Sequence, residues 1–208
     1  MNRIPVSILA SVTACAWMCG IAWAEDDFTL YELLDPSTSA FAITYDTTAA
    51  RPGQTLFFNA VRAGSAVADE RVIDRATAQD LEWELVSGLA AKANGWLPDR
   101  VADDARYLMI RLAAPVPEGG EARLRISKTY TDPASYRGEG DGLVFERALG
   151  IRANAVVLPP GYELTGCSVP AIVSTLADGR VKASFLNDRD DALAVRITGR
   201  RLAAGGAR

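Results

Sequence analysis

Apolar and polar side chains alternate most clearly between Ala171 and Arg201. Two runs in this stretch place apolar side chains at every second position, namely Val181, Ala183, Phe185 and then Leu193, Val195, Ile197. Side chains of a strand point alternately to its two faces, so each run predicts a strand with one apolar face. The pair Asp178-Gly179 lies between two apolar runs and favours a tight hairpin turn. The stretch therefore predicts three antiparallel strands joined by two turns.

Similar short runs, separated by turn residues, recur along most of the chain. They include residues 28–34, 41–45, 54–61, 81–85, 106–112, 122–130, 143–149 and 154–158. The segment 88–105 is the least strand-like, and any helix there is expected to be short, across 99–105. About eleven short strands with turns between them are typical of packed antiparallel sheets. The sequence thus predicts an all-β fold, an antiparallel β-sandwich with at most one short helix.

Residues 25–202 are expected to form this sandwich as one domain, because no repeat and no Ser/Pro-rich linker divides them. The alternative is a split near Gly150 into two smaller sandwiches. Residues 203–208 are small and polar, and we expect them to form a disordered tail.

The first residues have the pattern of a secretory signal peptide. Arg3 supplies a positive start, residues 4–21 are largely apolar, and Ala22-Trp23-Ala24 has the small-x-small pattern that signal peptidase needs. We expect residues 1–24 to be cleaved and the protein to be periplasmic or secreted. The alternative is an uncleaved membrane anchor, since a span needs ~18–20 residues. No later stretch is long and apolar enough to cross a membrane.

The amino-acid composition excludes several kinds of catalytic and binding site. The chain has no histidine, which excludes Ser-His-Asp and Cys-His catalysis and HExxH zinc sites. Its net charge of −4 makes it a poor nucleic-acid binder, because such binding needs a concentrated basic face. Cys15 and Cys19 would leave with the signal peptide, so no intramolecular disulfide is expected. Cys167 is interpreted as a small buried hydrophobe.

One polar loop resembles a cation site in its residue types. Asn187, Asp188, Asp190 and Asp191 bring three carboxylates and an amide together, and such hard oxygen ligands suit Ca²⁺. The loop lacks the bending Gly and the distal Glu of an EF-hand. The alternative is a solvated hairpin loop in which Asn and Asp supply turn geometry.

Three aromatic residues lie in or beside predicted loops, namely Trp96, Tyr130 and Tyr136. Flat rings that are exposed beside loops can stack on sugar faces, so these residues are candidates for ligand binding. The alternative is that each ring folds down and covers the core.

Acidic pairs offer the remaining catalytic hypothesis. Glu82 and Glu84 lie two residues apart on a predicted strand, ~7 Å from each other, which is a separation found in glycoside hydrolases. Strand alternation places both on a wet face, where a solvated surface is the alternative. Asp99, Asp103 and Asp104 form a second acidic cluster, for which helix capping is the alternative.

Three segments resemble a known family. They are 120–130, the stretch SYRGEGDGLVF that ends at Phe145, and 154–170 with its VVLPPGYEL and VP motifs. Together they look like the N-terminal β-sandwich modules of secreted gluzincin aminopeptidases, over about a quarter of the chain. Those enzymes carry their zinc-binding HExxH helix in a separate domain. Since this chain has no histidine, the resemblance implies only a non-catalytic sandwich.

The sequence therefore predicts a non-enzymatic, exported β-sandwich that acts as a binding or accessory module. Its partner would be a protein or a glycan outside the cytoplasm, meeting the loops around Trp96 and 132–142. One alternative is a carboxylate-based glycan hydrolase. Another is an assembly or scaffold protein that adds a strand to a partner at an open sheet edge.

Overall fold

The structure is a computed structural model that describes residues 27–95 and 102–203. These residues form fourteen strands, one α-helix and one 3-10 turn at Pro36–Thr38. The strands are β1 (Phe28–Leu33), β2 (Ala40–Ala49), β3 (Leu56–Val61), β4 (Ala66–Asp74), β5 (Trp83–Ser87), β6 (Arg106–Arg111), β7 (Ala122–Thr131), β8 (Tyr136–Glu139), β9 (Gly142–Leu149), β10 (Ala153–Val157), β11 (Tyr162–Cys167), β12 (Ile172–Thr175), β13 (Val181–Leu186) and β14 (Leu193–Arg201). The all-β prediction is confirmed, with more strands than the expected eleven.

The helix and one strand lie where the sequence did not place them. Helix α1 spans Gly88–Ala93 and is capped by the Ser87 hydroxyl, which accepts a hydrogen bond from the Ala90 amide. The expected position, 99–105, is described only from residue 102, and its described part forms a turn instead. Strand β8 lies inside the predicted loop 132–142, where it pairs with β9 despite its glycine, Gly138.

The strands form three sheets. A seven-stranded sheet has the order β12-β13-β10-β1-β2-β7-β4, a four-stranded sheet the order β11-β14-β9-β8, and a three-stranded sheet the order β3-β6-β5. The pairs are antiparallel except for β1 and β10, which run parallel. Each of the two larger sheets contains strands from both sides of Gly150, which meet where β10 pairs with β1 and where β14 pairs with β9.

The C-terminal stretch departs from the predicted meander. Strands β12 and β13 form the expected hairpin, and Gly179 in its turn has a φ of +83°, which favours glycine. Strand β14 does not pair with β13, however. It pairs with β9 and β11 in the four-stranded sheet. The loop 187–191 is therefore a crossover between two sheets and not a hairpin loop.

One buried cluster of apolar side chains draws on all three sheets. Phe41 lies at its centre and is fully buried, with ring contacts to Tyr31, Tyr130, Tyr136 and Phe145 at centroid distances of 5.7–6.4 Å. Each aromatic pair of this kind contributes about 0.5–1.5 kcal/mol beyond area burial. This aromatic cluster forms the floor beneath the site described next. Among the described residues, no helix has the length and apolar character needed to cross a membrane.

Candidate ligand-binding pocket

A pocket of about 280 Å³ lies over the inner face of the seven-stranded sheet, beside strands from the other two sheets. Its walls are mostly aromatic and aliphatic, and its lining also holds three cationic side chains. The lining residues are Thr29, Tyr31, Ile43, Tyr45, Asn59, Ala60, Arg62, Lys128, Tyr130, Arg147 and Ile151. No carboxylate belongs to this lining. In a chain with a net charge of −4, this is a locally positive site.

Strand register brings the site together. Tyr31 of β1 is opposite Ile43 of β2, and Ile43 is opposite Lys128 of β7, so the three side chains form one row across the sheet. Tyr130, two residues after Lys128, points to the same face and contributes the next position. Asn59 comes from β3 in the three-stranded sheet, and Arg147 comes from β9 in the four-stranded sheet.

Lys128 is buried, with 6% of its surface exposed. Its Nζ donates a hydrogen bond to Asn59 Oδ1 at 2.5 Å and lies 5.1 Å from the centroid of the Tyr130 ring. Within the described parts of the chain it forms no salt bridge. Burial, together with the nearby charge of Arg147, lowers the pKa of Lys128 to about 8. An amine in this setting loses its proton far more readily than an exposed lysine does.

The Arg147 side chain is 9% exposed and contacts three aromatic rings and one carboxylate. Its guanidinium lies 5.5–5.6 Å from the ring centroids of Tyr31, Phe41 and Tyr130, which is cation–π distance. Its Nη1 donates to Asp132 Oδ2 at 3.3 Å. The arginine is thus fixed in orientation before any ligand arrives.

Asp132 anchors this network from behind the pocket. Its carboxylate accepts hydrogen bonds from the hydroxyls of Ser135 at 2.7 Å and Ser65 at 3.2 Å, and Arg62 Nε lies 3.6 Å from it. Burial acts to raise the pKa of Asp132, but the hydrogen bonds from Ser135 and the charge of Arg147 outweigh it and hold the pKa below its usual value. The Asp132 carboxylate therefore interacts with two arginines. Lys128 forms no salt bridge among the described residues, and Glu70 acts on it through its charge alone.

The predicted aromatic binding residues occupy different places. Tyr130 is 2% exposed and lines the pocket, where its hydroxyl accepts a hydrogen bond from the Arg62 amide. Tyr136 is fully buried, and its hydroxyl donates to the Leu34 carbonyl at 2.6 Å. Both rings lie in the core, so neither presents an exposed stacking face. Trp96 lies outside the described residues.

The predicted calcium loop has the contacts of a tight turn. Asn187 is buried, its Oδ1 accepts from the Arg189 amide, and its Nδ2 donates to the Asp191 carbonyl at 2.8 Å. Arg189 pairs with both oxygens of the Asp191 carboxylate at 2.7 Å. Asp188 and Asp190 border a polar pocket that also contains Arg152. No cluster of three or more metal-ligating Cys, Asp or Glu side chains is found within 27–95 and 102–203.

The predicted acidic pairs lie on the three-stranded sheet and next to helix α1. Glu82 and Glu84 border a shallow pocket together with Arg111, whose Nε lies 3.7 Å from Glu82. Asp103 accepts a hydrogen bond from Lys92 of α1 at 2.8 Å, which ties the loop to the helix. Asp104 is exposed, and Asp99 lies outside the described residues. Cys167 is a free, half-buried thiol at the end of β11.

Lys128 and Arg147 were not among the predicted site residues, although the sequence contains a signal for both. In β7 the buried positions are Leu124, Ile126, Lys128 and Tyr130, so the lysine continues the apolar phase. In β9 the inward positions are Leu143, Phe145, Arg147 and Leu149. A cation at a strand position where the alternation places apolar side chains points to the interior, where it needs a partner or a ligand.

Comparison with known proteins finds similar solved structures. No family model matches the chain, and no curated protein matches it. Among solved structures, the M1 zinc metallopeptidase from Deinococcus radiodurans is similar over 84% of this chain and 41% of that chain, with 11% identity and a TM-score of 0.49. The aminopeptidase N family protein from Idiomarina loihiensis is similar over 86% of this chain and 31% of that one, with 10% identity and a TM-score of 0.47.

A protein described as a protease from Parabacteroides distasonis shows 9% identity and a TM-score of 0.41 over 84% of this chain and 39% of that chain. These structures include a zinc peptidase and an aminopeptidase, the kind of protein that segments of this sequence resemble. The chain spans less than half the length of these structures. The peptidase activity in their descriptions belongs to those proteins.

Proposed function

We propose that this protein is a non-enzymatic β-sandwich module, exported from the cytoplasm, that binds a small organic anion in the pocket between its sheets. The observation that carries the proposal is the composition of the pocket, in which three cations and no carboxylate line walls that are otherwise mostly apolar. The expected signal peptide supports export, and the absence of histidine from the chain supports a binding role.

The ligand class follows from the lining. Lys128 donates one of its three N–H bonds to Asn59, which leaves two for a ligand oxygen. Arg62 lies at the exposed rim, and Arg147 lies deeper, against the aromatic rings. A carboxylate carried on an aromatic or aliphatic body would meet the cations with its charged end and the walls with its apolar end. Such a carboxylate could belong to a free molecule or to part of the protein or glycan partner predicted from the sequence.

Calorimetric titration with phenylacetate tests the proposal, with phenylacetamide as the uncharged control of equal size. A hydrogen bond to a charged group contributes about 1.5–3 kcal/mol, so Lys128→Met should weaken phenylacetate binding roughly tenfold or more. Lys182→Met, which removes a half-buried lysine of β13 outside the pocket, should leave binding unchanged. Equal binding of the amide and the acid, or equal loss in the two variants, would contradict the proposal.

A second candidate function, assembly by strand addition, is favoured by one edge of the seven-stranded sheet. Strand β12 forms this edge, and all four of its residues are exposed, including Ile172 at 77%. An exposed edge strand with β-branched side chains is a template for pairing with a second copy. Sedimentation velocity tests this: Ile172→Lys should abolish concentration-dependent self-association, and a wild-type protein that stays monomeric would refute the idea.

A further inference from the structure

The chain contains three lysines, and their surroundings differ. Lys92 is ion-paired with Asp103 at 2.8 Å on the surface next to helix α1. Lys182 lies half-buried on β13. Lys128 alone of the three lines the pocket over the seven-stranded sheet, and its only hydrogen-bond acceptor among the described residues is the neutral amide of Asn59.

These surroundings increase the neutral fraction of the Lys128 amine. A lysine becomes a nucleophile when it is desolvated in an apolar pocket or placed next to another cation, since both conditions favour the neutral form. Lys128 meets both conditions, through its burial among aromatic rings and through the neighbouring Arg147.

The titratable groups that face Lys128 come from several elements. They are Tyr31 of β1, Tyr45 of β2, Glu70 of β4, Tyr130 of β7, Arg147 of β9, and Arg62 after β3. Glu70 opposes the deprotonation of Lys128 through its charge, but its effect is smaller than those of burial and of Arg147. The tyrosines are neutral near pH 7, since the ordinary pKa of a tyrosine is about 10. Burial raises the pKa of Tyr31, Tyr45 and Tyr130 further.

We propose that Lys128 is a covalent capture site for small aldehydes that carry an anionic group. The neutral Nζ attacks the aldehyde carbon, and a carbinolamine forms after a proton moves from nitrogen to oxygen. Loss of water then gives an imine, so that amine and aldehyde become imine and water with no change of oxidation state. Hydrolysis reverses the sequence, and the capture is therefore reversible.

The preference for an anionic aldehyde rests on the proposed anion-binding function, whereas the covalent step rests on Lys128 itself. Arg62 and Arg147 line the same cavity and would hold a carboxylate while the aldehyde carbon meets Nζ. A pocket of about 280 Å³ admits a molecule of a few heavy atoms without rearrangement of its walls. Glyoxylate, an aldehyde with an adjacent carboxylate, satisfies both requirements.

The test is competitive trapping within one molecule. The full chain is incubated at pH 7 with limiting glyoxylate and cyanoborohydride, and mass spectrometry of its peptides measures carboxymethylation at Lys92, Lys128 and Lys182. At this pH an amine with a pKa of about 8 is roughly one-tenth neutral, against less than a thousandth for an ordinary lysine with a pKa of about 10.4. The less basic amine is intrinsically slower, so we expect Lys128 to react roughly tenfold faster than either other lysine.

Three further arms separate the explanations. In urea the three lysines should react at similar rates, because the pocket is lost. Lys128→Arg should retain the fold by circular dichroism and lose the fast site. Acetaldehyde, which has no anionic group, distinguishes covalent capture from the preference for anions. If Lys128 reacts selectively with both aldehydes and at equal rates, covalent capture is supported and the preference for anionic aldehydes is refuted. Reaction of Lys92 or Lys182 as fast as Lys128 in the folded protein overturns covalent capture, whatever the titration with phenylacetate shows.

Discussion

Substitution of Arg147 by Met tests the electrostatic network beneath the pocket. Methionine keeps much of the volume and the contacts with the aromatic rings, but it removes the charge that faces Asp132. The two side chains are 9% and 5% exposed, so the pair is shielded from water. Asp132 would keep its hydrogen bonds from Ser65 and Ser135, and Arg62 would remain 3.6 Å away.

The magnitude follows from these remaining contacts. Removing one partner of a buried ion pair costs about 3–5 kcal/mol, because the other charge stays buried without compensation. Since two hydroxyls and Arg62 still stabilise Asp132, we expect a loss near the lower end, about 3 kcal/mol. For a domain of this size each kcal/mol shifts the melting temperature by about 2–4 °C, so the midpoint should fall by about 6–12 °C.

The assay is urea unfolding at pH 7, followed by tryptophan fluorescence and circular dichroism. In the double variant Arg147→Met with Asp132→Asn, neither buried charge remains, and Arg62, which loses Asp132, is 45% exposed to solvent. We therefore expect at least about 1 kcal/mol to be recovered relative to the single Arg147 variant. Arg196→Met is the matched control, because its pair with Glu146 is exposed and should contribute about 0–1 kcal/mol. A loss below about 1 kcal/mol in Arg147→Met, or purely additive effects in the double variant, would refute the reasoning.

Three further predictions concern stability. The carboxylate of Asp132 stabilises the fold above its unfolded pKa of about 3.9, and this contribution is lost as pH falls through its lower native pKa. In Asp132→Asn, the free energy of unfolding should therefore fall less steeply with decreasing pH in this range than in the wild type. A Cβ at Gly142 would lie 2.5 Å from the Gly199 carbonyl oxygen, so Gly142→Ala should lower the free energy of unfolding by about 1–3 kcal/mol. A Cβ at Gly150 meets nothing within 4 Å, so Gly150→Ala should change it by no more than about 0.5 kcal/mol. Urea unfolding measures both. Phe41→Ala should cost about 3–5 kcal/mol in the same assay, and a loss below about 1 kcal/mol would contradict its central place in the core.

Part of the site could have been predicted from local pattern. Lys128 and Arg147 each occupy an apolar phase of their strand, which indicates an inward side chain. The pattern does not say that the two cations face one cavity, because β7 and β9 belong to different sheets. Tyr130 was among the predicted binding residues as a residue beside a loop, and the structure places its ring in the wall of the pocket.

The sequence by itself determined the all-β class and the turn at Asp178-Gly179, because side-chain alternation and turn conformation are local properties. Only the tertiary structure decided which strands pair. The parallel contact of β1 with β10 and the passage of β14 into another sheet join residues far apart in the chain. Such pairings depend on which apolar faces can be buried together once the intervening loops close, and no short stretch of sequence records that choice.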